Sequence, residues 1–195
     1  MSAMAQTSEQ AEALENAGIK VVISDADNIA QTYESIRLIG ALMRMDAEAE
    51  ALIADMQATF DDIAAKSEST GKSIYFEVSP LQWGLWAAGS NTFMDELATM
   101  CGLTNAFADV ADWGEISEEQ VLARTPDYII TITMYFGEGP LPTEEIMARP
   151  GWESLTAVAN GDVYNVDSNA FSRPGPRLKD AAITLYNIVN GIDAE

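Results

Sequence analysis

Apolar positions along this chain follow two rhythms. Between residues 46 and 66, Leu52, Ile53, Met56, Phe60 and Ile63 recur at three- and four-residue spacing, the period of a helix with one buried face. Acidic Asp46, Glu48 and Glu50 open that stretch and Lys66 closes it, matching the helix dipole. Roughly 20 residues of helix reach about 30 Å, long enough to bridge two lobes. The second rhythm is the short unbroken apolar run. Residues 19–24 (IKVVIS), 73–78 (SIYFEV), 128–133 and 162–166 (DVYNV) read as strands, the first apolar on both faces. Helices are predicted at 8–17, stopped by Gly18, and at 28–43. Asn28 and Gln31 form a capping box for the latter, and Ile29, Tyr33, Ile36 and Ile39 give it an apolar face. Further helices are predicted at 92–100, 117–123, near 143–148 and 152–159, and from 174 to about 190, with loops over 79–91, 103–116 and 134–142. Strands separated by helices predict an α/β fold with a mainly parallel sheet flanked by helices. The polar break at 67–72 marks a domain boundary.

Composition narrows the chemistry. The chain has 195 residues, 48% hydrophobic, enough for a sizeable core. Acidic residues number 31 against 10 basic ones, a net charge of −21 that repels nucleic-acid phosphates and anionic lipid. With no histidine and the single Cys101, an intramolecular disulfide, a His/Cys zinc site and a histidine base are all excluded. No Gly-x-Ser-x-Gly and no phosphate loop is present, and Glu118/Glu119 and Glu144/Glu145 are sequence neighbours that point apart on a helix. No catalytic residue and no metal-ligand set is therefore assigned. No apolar run approaches the roughly 18 residues of a membrane span. Residues 1–6 lack the basic and apolar regions of a signal peptide.

The most specific local pattern is Ser117-Glu118-Glu119-Gln120-Val121, running on to Pro126-Asp127-Tyr128-Ile129-Ile130. Physically it is a helix capped by Ser117 and Gln120, carrying acid in its first turn, followed by a buried strand. Trp113 precedes it in an acidic, irregular segment and reads either as packing or as a flat surface for a planar ligand. Trp83 and Trp86 lie between a strand and a helix, where α/β sheets hold ligands. Arg173 and Arg177 stand out in so acidic a chain. Either can brace the last helix, and a guanidinium can also take oxygen-rich ligand groups. Tyr135 follows the strand at 128–133 as a further cleft candidate.

The 117–130 pattern resembles a segment of the class III substrate-binding proteins of ABC importers, the binders of ferric siderophores, haem and vitamin B12. Other stretches agree in order: Ala88-Gly89-Ser90-Asn91-Thr92-Phe93, Asn105-Ala106-Phe107-Ala108-Asp109, Arg149-Pro150-Gly151-Trp152, Asn160-Gly161-Asp162-Val163-Tyr164 and Ser172-Arg173-Pro174-Gly175-Pro176-Arg177. The resemblance covers about residues 10–190. It implies two α/β lobes joined by one long helix, with ligand between them and no chemistry performed. On that template residues 1–27 correspond to a remnant of the N-terminal lobe, 28–69 to helices including the connecting helix 46–66, and 70–195 to the C-terminal lobe. Most of the N-terminal lobe is then expected to be absent from this chain. The resemblance implies Glu119 as the carboxylate that docks on the permease subunits, and Trp113 and Arg173 as ligand contacts, with Trp83, Trp86 and Tyr135 as further candidates. No cofactor is expected. The implied ligand is a preformed chelate (a ferric siderophore, haem or cobalamin), because members binding bare metal use histidines. The implied location is extracytoplasmic, periplasmic or as a cell-surface lipoprotein. The competing expectation is a remnant that no longer binds ligand but self-associates as a homodimer, burying residues 8–43.

Overall fold

The computed structural model describes residues 5–192. Residues 1–4, which belong to the stretch read for a signal peptide, and residues 193–195 lie outside them. Helices α1 (Ala5–Asn16), α2 (Ile29–Met43) and α3 (Asp46–Lys66) come first. Then follow β1 (Ser73–Ser79), β2 (Trp86–Ala88), α4 (Phe93–Met100), β3 (Thr104–Asn105), β4 (Trp113–Glu115) and α5 (Glu118–Arg124). The chain continues through β5 (Tyr128–Thr131), α6 (Pro142–Met147), α7 (Thr156–Asn160), β6 (Val163–Asn165), α8 (Ser168–Phe171) and α9 (Leu178–Asn190).

The sheet order is β4-β2-β1-β5-β6, with β3 also paired to β1. β1 runs parallel to β3 and β5, and β5 parallel to β6. β2 is antiparallel to both β1 and β4, so the sheet is mixed, with a parallel centre. The antiparallel edge comes from two three-residue strands in segments whose sequence predicts loops. Runs that short carry no period of their own, and their pairing partners define them.

Alternation along β1 divides the core. Ile74 and Phe76 face one side with Ile130, α3, α4 and α9. Tyr75 faces the other with Ile129, Val163, Phe107, Trp152 and Leu155. Helix α3 buries Ile53, Met56, Phe60 and Ile63 on the first side, each side chain contributing about 1.5–3 kcal/mol by leaving water. The expected 46–66 helix thus forms with the predicted bounds and packs along the lobe on α9 and α4. Gly40 lets α2 lie close to α3: a Cβ there would stand 2.5 Å from the Ala49 Cβ.

Residues 19–24, expected as a strand, are not assigned to a strand among the described residues. An apolar run becomes a strand only where a neighbour offers backbone partners, and the pattern cannot supply one. The chain turns instead onto α4. The Phe93 N–H donates to the Asp27 carbonyl at 2.7 Å, and the Ile29 N–H donates to the Glu96 carboxylate at 2.7 Å. The Asn28 cap forms, accepting from the Gln31 N–H, but the Gln31 side chain accepts from Asp27 rather than Asn28.

Candidate ligand groove and docking helix

The carboxyl ends of all three central parallel strands open into one region. β1 ends at Ser79 and runs through Pro80 into a tight turn at Leu81–Trp83. β5 ends at Thr131 and runs into the loop of residues 132–141, and β6 leads to Ser168 at the start of α8. These endings enclose a cavity of about 620 Å³ lined by Trp83, Tyr135, Phe136, Glu77, Glu138 and Glu145, among others. A second cavity of about 790 Å³ lies beside it, lined by Asp25, Asp27, Phe93, Met94, Trp113 and Arg173, among others. Val78 and Ile132 line both, so the two cavities adjoin across the ends of β1 and β5 and together make up the candidate groove. Their volumes fall in the range of small-molecule sites, and the position is where α/β sheets place ligands.

The structure brings Trp113 and Arg173 together in the second cavity and Trp83 and Tyr135 in the first. Trp113 is half-buried, its ring 5.4 Å from that of Phe93 in a tilted contact. Arg173 is exposed and without a hydrogen-bond or ion-pair partner among the described residues. Trp83 is 75% exposed, a large apolar surface held beside the cavity. Tyr135 donates its hydroxyl to the Gly139 carbonyl at 3.4 Å. Trp86 lines neither cavity. It sits in β2, paired with Glu115 and Ser79. Arg177 occupies the N-cap position of α9.

Sequence reasoning missed the charged floor of the first cavity. Arg149 is 3% exposed and Glu77 1%. The guanidinium donates from Nη1 to Glu77 at 2.6 Å and from Nη2 at 3.0 Å. It also donates from Nη2 to Glu145 at 2.6 Å and from Nε at 3.0 Å. Its carbon lies 4.4 Å from the Trp152 ring centre. Burial opposes the Arg149 charge, but the bonds to Glu77 and Glu145 outweigh it and hold the pKa above its ordinary value. Burial pushes the Glu77 carboxyl up, and Arg149 pulls the other way. One signal was readable: a carboxylate inside the apolar run SIYFEV must find a partner if that strand is buried.

On the far side of the same network lies α5. Ser117 caps it, with the reciprocal Gln120 bond in place. Its two leading carboxylates have separate fates. Glu118 accepts from the Trp152 indole N–H at 2.9 Å. Glu119 is exposed and has no ion pair among the described residues, and the Ser117 hydroxyl beside it holds its carboxyl below the usual range. A rigid, capped helix start therefore presents one negative charge to solvent. Cys101 is buried, and burial pushes its thiol up to about 12, so it is inert. Among the described residues no group of three or more His, Cys, Asp or Glu is placed to hold a metal ion, and no helix is long and apolar enough to cross a membrane.

The sequence profile of the family described as periplasmic binding protein matches residues 1–170. An uncharacterized ABC transporter substrate-binding lipoprotein of Bacillus subtilis is 31% identical over 182 residues, covering 91% of this chain and 56% of its own length. The vitamin B12-binding protein of Pectobacterium carotovorum is 29% identical over 177 residues, covering 88% of this chain and 59% of its own. This chain thus spans less than two thirds of these relatives. The crystal structure of a possible iron-binding (periplasmic solute-binding) protein of Staphylococcus epidermidis superposes with a TM-score of 0.79 at 27% identity, covering 96% of this chain and 74% of that one.

Proposed function

The chain belongs to the periplasmic binding protein family, and on that premise we propose that it captures a preformed iron chelate, haem or corrinoid outside the membrane and presents it to the permease subunits of an ABC importer. The observation that carries this reading is the pair of adjoining cavities at the ends of β1 and β5, with aromatic and arginine side chains on their walls. Trp113 and Arg173 contact the ligand in one half, Trp83 and Tyr135 in the other. Residues 70–195 form the C-terminal lobe, α3 is the interlobe helix, and residues 1–27 belong to the other lobe. The protein works in the periplasm or as a cell-surface lipoprotein. The names of the Bacillus and Pectobacterium relatives support the transport role and the ligand class.

Tryptophan fluorescence during titration with haem, cyanocobalamin and ferric siderophores tests capture. At least one probe is expected to quench saturably, and Trp113→Phe and Arg173→Ala each to weaken that binding about tenfold or more. Silence with every probe would overturn the reading. Glu119 serves docking. In transporter-coupled protein Glu119→Ala is expected to impair uptake while leaving ligand affinity unchanged, and a collapse of affinity would contradict the docking role.

A second reading is favoured by the exposed Leu38, Ile39, Leu42 and Met43 of α2 and by Met45 beside them. That face joins a second copy of the chain in a two-fold dimer.

A further inference from the structure

We propose that the groove selects its chelate by charge, taking a neutral or cationic metal chelate and turning away an anionic one. This rests on the capture reading above and adds the class of ligand to it. Five carboxylates line the two cavities: Glu77, Glu138 and Glu145 in one, Asp25 and Asp27 in the other. Among the described residues a single cation, Arg173, lines them. Arg149 lies beneath, but its donors are already occupied by Glu77 and Glu145. An anion entering the first cavity therefore finds no free guanidinium edge. Counting Arg149 with Arg173, the five carboxylates still leave a surplus of three negative charges.

The walls point the same way. Trp83 and Phe136 are 75% and 83% exposed and stand beside the carboxylates of the first cavity. Ring faces attract cations and also pack against flat neutral surfaces. In the second cavity unpaired Arg173 can donate to a neutral carbonyl or amide oxygen of the ligand. The net charge of −21 adds repulsion of anions at longer range. At about 8 Å, with an effective dielectric between those of protein and water, each unit charge changes affinity by about fivefold.

The test uses the chain itself, titrated with three probes: ferrioxamine B, which is cationic, cyanocobalamin, which is neutral, and an anionic iron tris-catecholate. Tryptophan fluorescence and calorimetry read the affinities. The better of the first two probes is expected to bind about tenfold or more tighter than the tris-catecholate, with added salt narrowing the gap. Whichever of the two leads separates a hydroxamate chelate from a corrinoid. Glu138→Gln alters an exposed groove carboxylate without a hydrogen-bond partner among the described residues. It is expected to narrow the gap about two- to fivefold with an unchanged circular dichroism spectrum. A tris-catecholate that binds as tightly as the best probe, or a gap indifferent to both salt and Glu138→Gln, would overturn charge selection while leaving capture intact. Absence of binding by all three would overturn charge selection, and silence with haem as well would sink capture with it.

Discussion

Glu96 carries a role that belongs to one residue. Its carboxylate accepts the Ile29 N–H and so fastens the start of α2 to α4. The group is half-buried, and burial raises its pKa above the ordinary value, outweighing the backbone bond that lowers it. For a carboxyl raised in the folded state, the stabilisation it brings is full below the unfolded pKa and is lost as pH rises through the folded one. At neutral pH the ionised Glu96 therefore opposes folding even while its hydrogen bond supports it. Glu96→Gln keeps an acceptor and removes the charge. It is expected to equal or exceed the parent in stability at about pH 7, the advantage fading below about pH 4. Glu96→Ala leaves the Ile29 N–H without its partner and is expected to cost about 1–2 kcal/mol. Urea unfolding at both pH values checks this; a Gln variant clearly weaker than the parent at neutral pH would contradict it. At this scale the sequence is legible wherever the partner is close in the chain. The Ser117 and Gln120 cap and the exposure of Glu119 follow from a few consecutive residues. Glu96 with Ile29 lies 67 residues apart and Arg149 with Glu77 lies 72, and no local pattern announces either pair.

Elements show the same division. α3 is regular for 21 residues, and its apolar stripe and end charges define it without help. β2 and β4 exist because β2 pairs with β1 and β4 pairs with β2. The groove depends on a comparable long-range tie, since Arg149 binds α6 through Glu145 and β1 through Glu77. Arg149→Met would leave Glu77 buried and charged without a partner, a loss of about 3–5 kcal/mol. Combining it with Glu77→Met removes both charges. The double variant is expected to recover most of that loss, because a buried pair replaced by apolar groups of similar volume is often near neutral. Glu145 can hydrate when released, its side chain being 40% exposed. Thermal unfolding of the two single variants and the double variant gives the coupling directly. A double variant no more stable than Arg149→Met would mean that the network acts through something other than charge compensation.

For the whole molecule, the alternating pattern read from the sequence gives the α/β class and the parallel centre, and the groove falls at the strand ends where that class places it. The apolar face of the predicted 28–43 helix is legible too, but its cover is not. In the structure Ile36 turns inward toward α3, while Leu38, Ile39, Leu42 and Met43 remain outside. Ile19 and Ile23, whose pattern predicts a strand, are 52% and 45% exposed. Joining two copies about a two-fold axis would bring each patch onto its twin and remove both from water. The charge of −21 on each chain resists that approach, and because screening weakens the repulsion, association is expected to strengthen as salt rises. This sign separates an apolar dimer from one held by ion pairs, which salt would loosen. Sedimentation equilibrium at micromolar concentration is expected to find a dimer, tighter at high ionic strength. Leu42→Glu, on an exposed position of α2, is expected to shift it to monomer without disturbing the circular dichroism spectrum. A monomer throughout that range, or a dimer indifferent to Leu42→Glu, would show that this face does not join two copies.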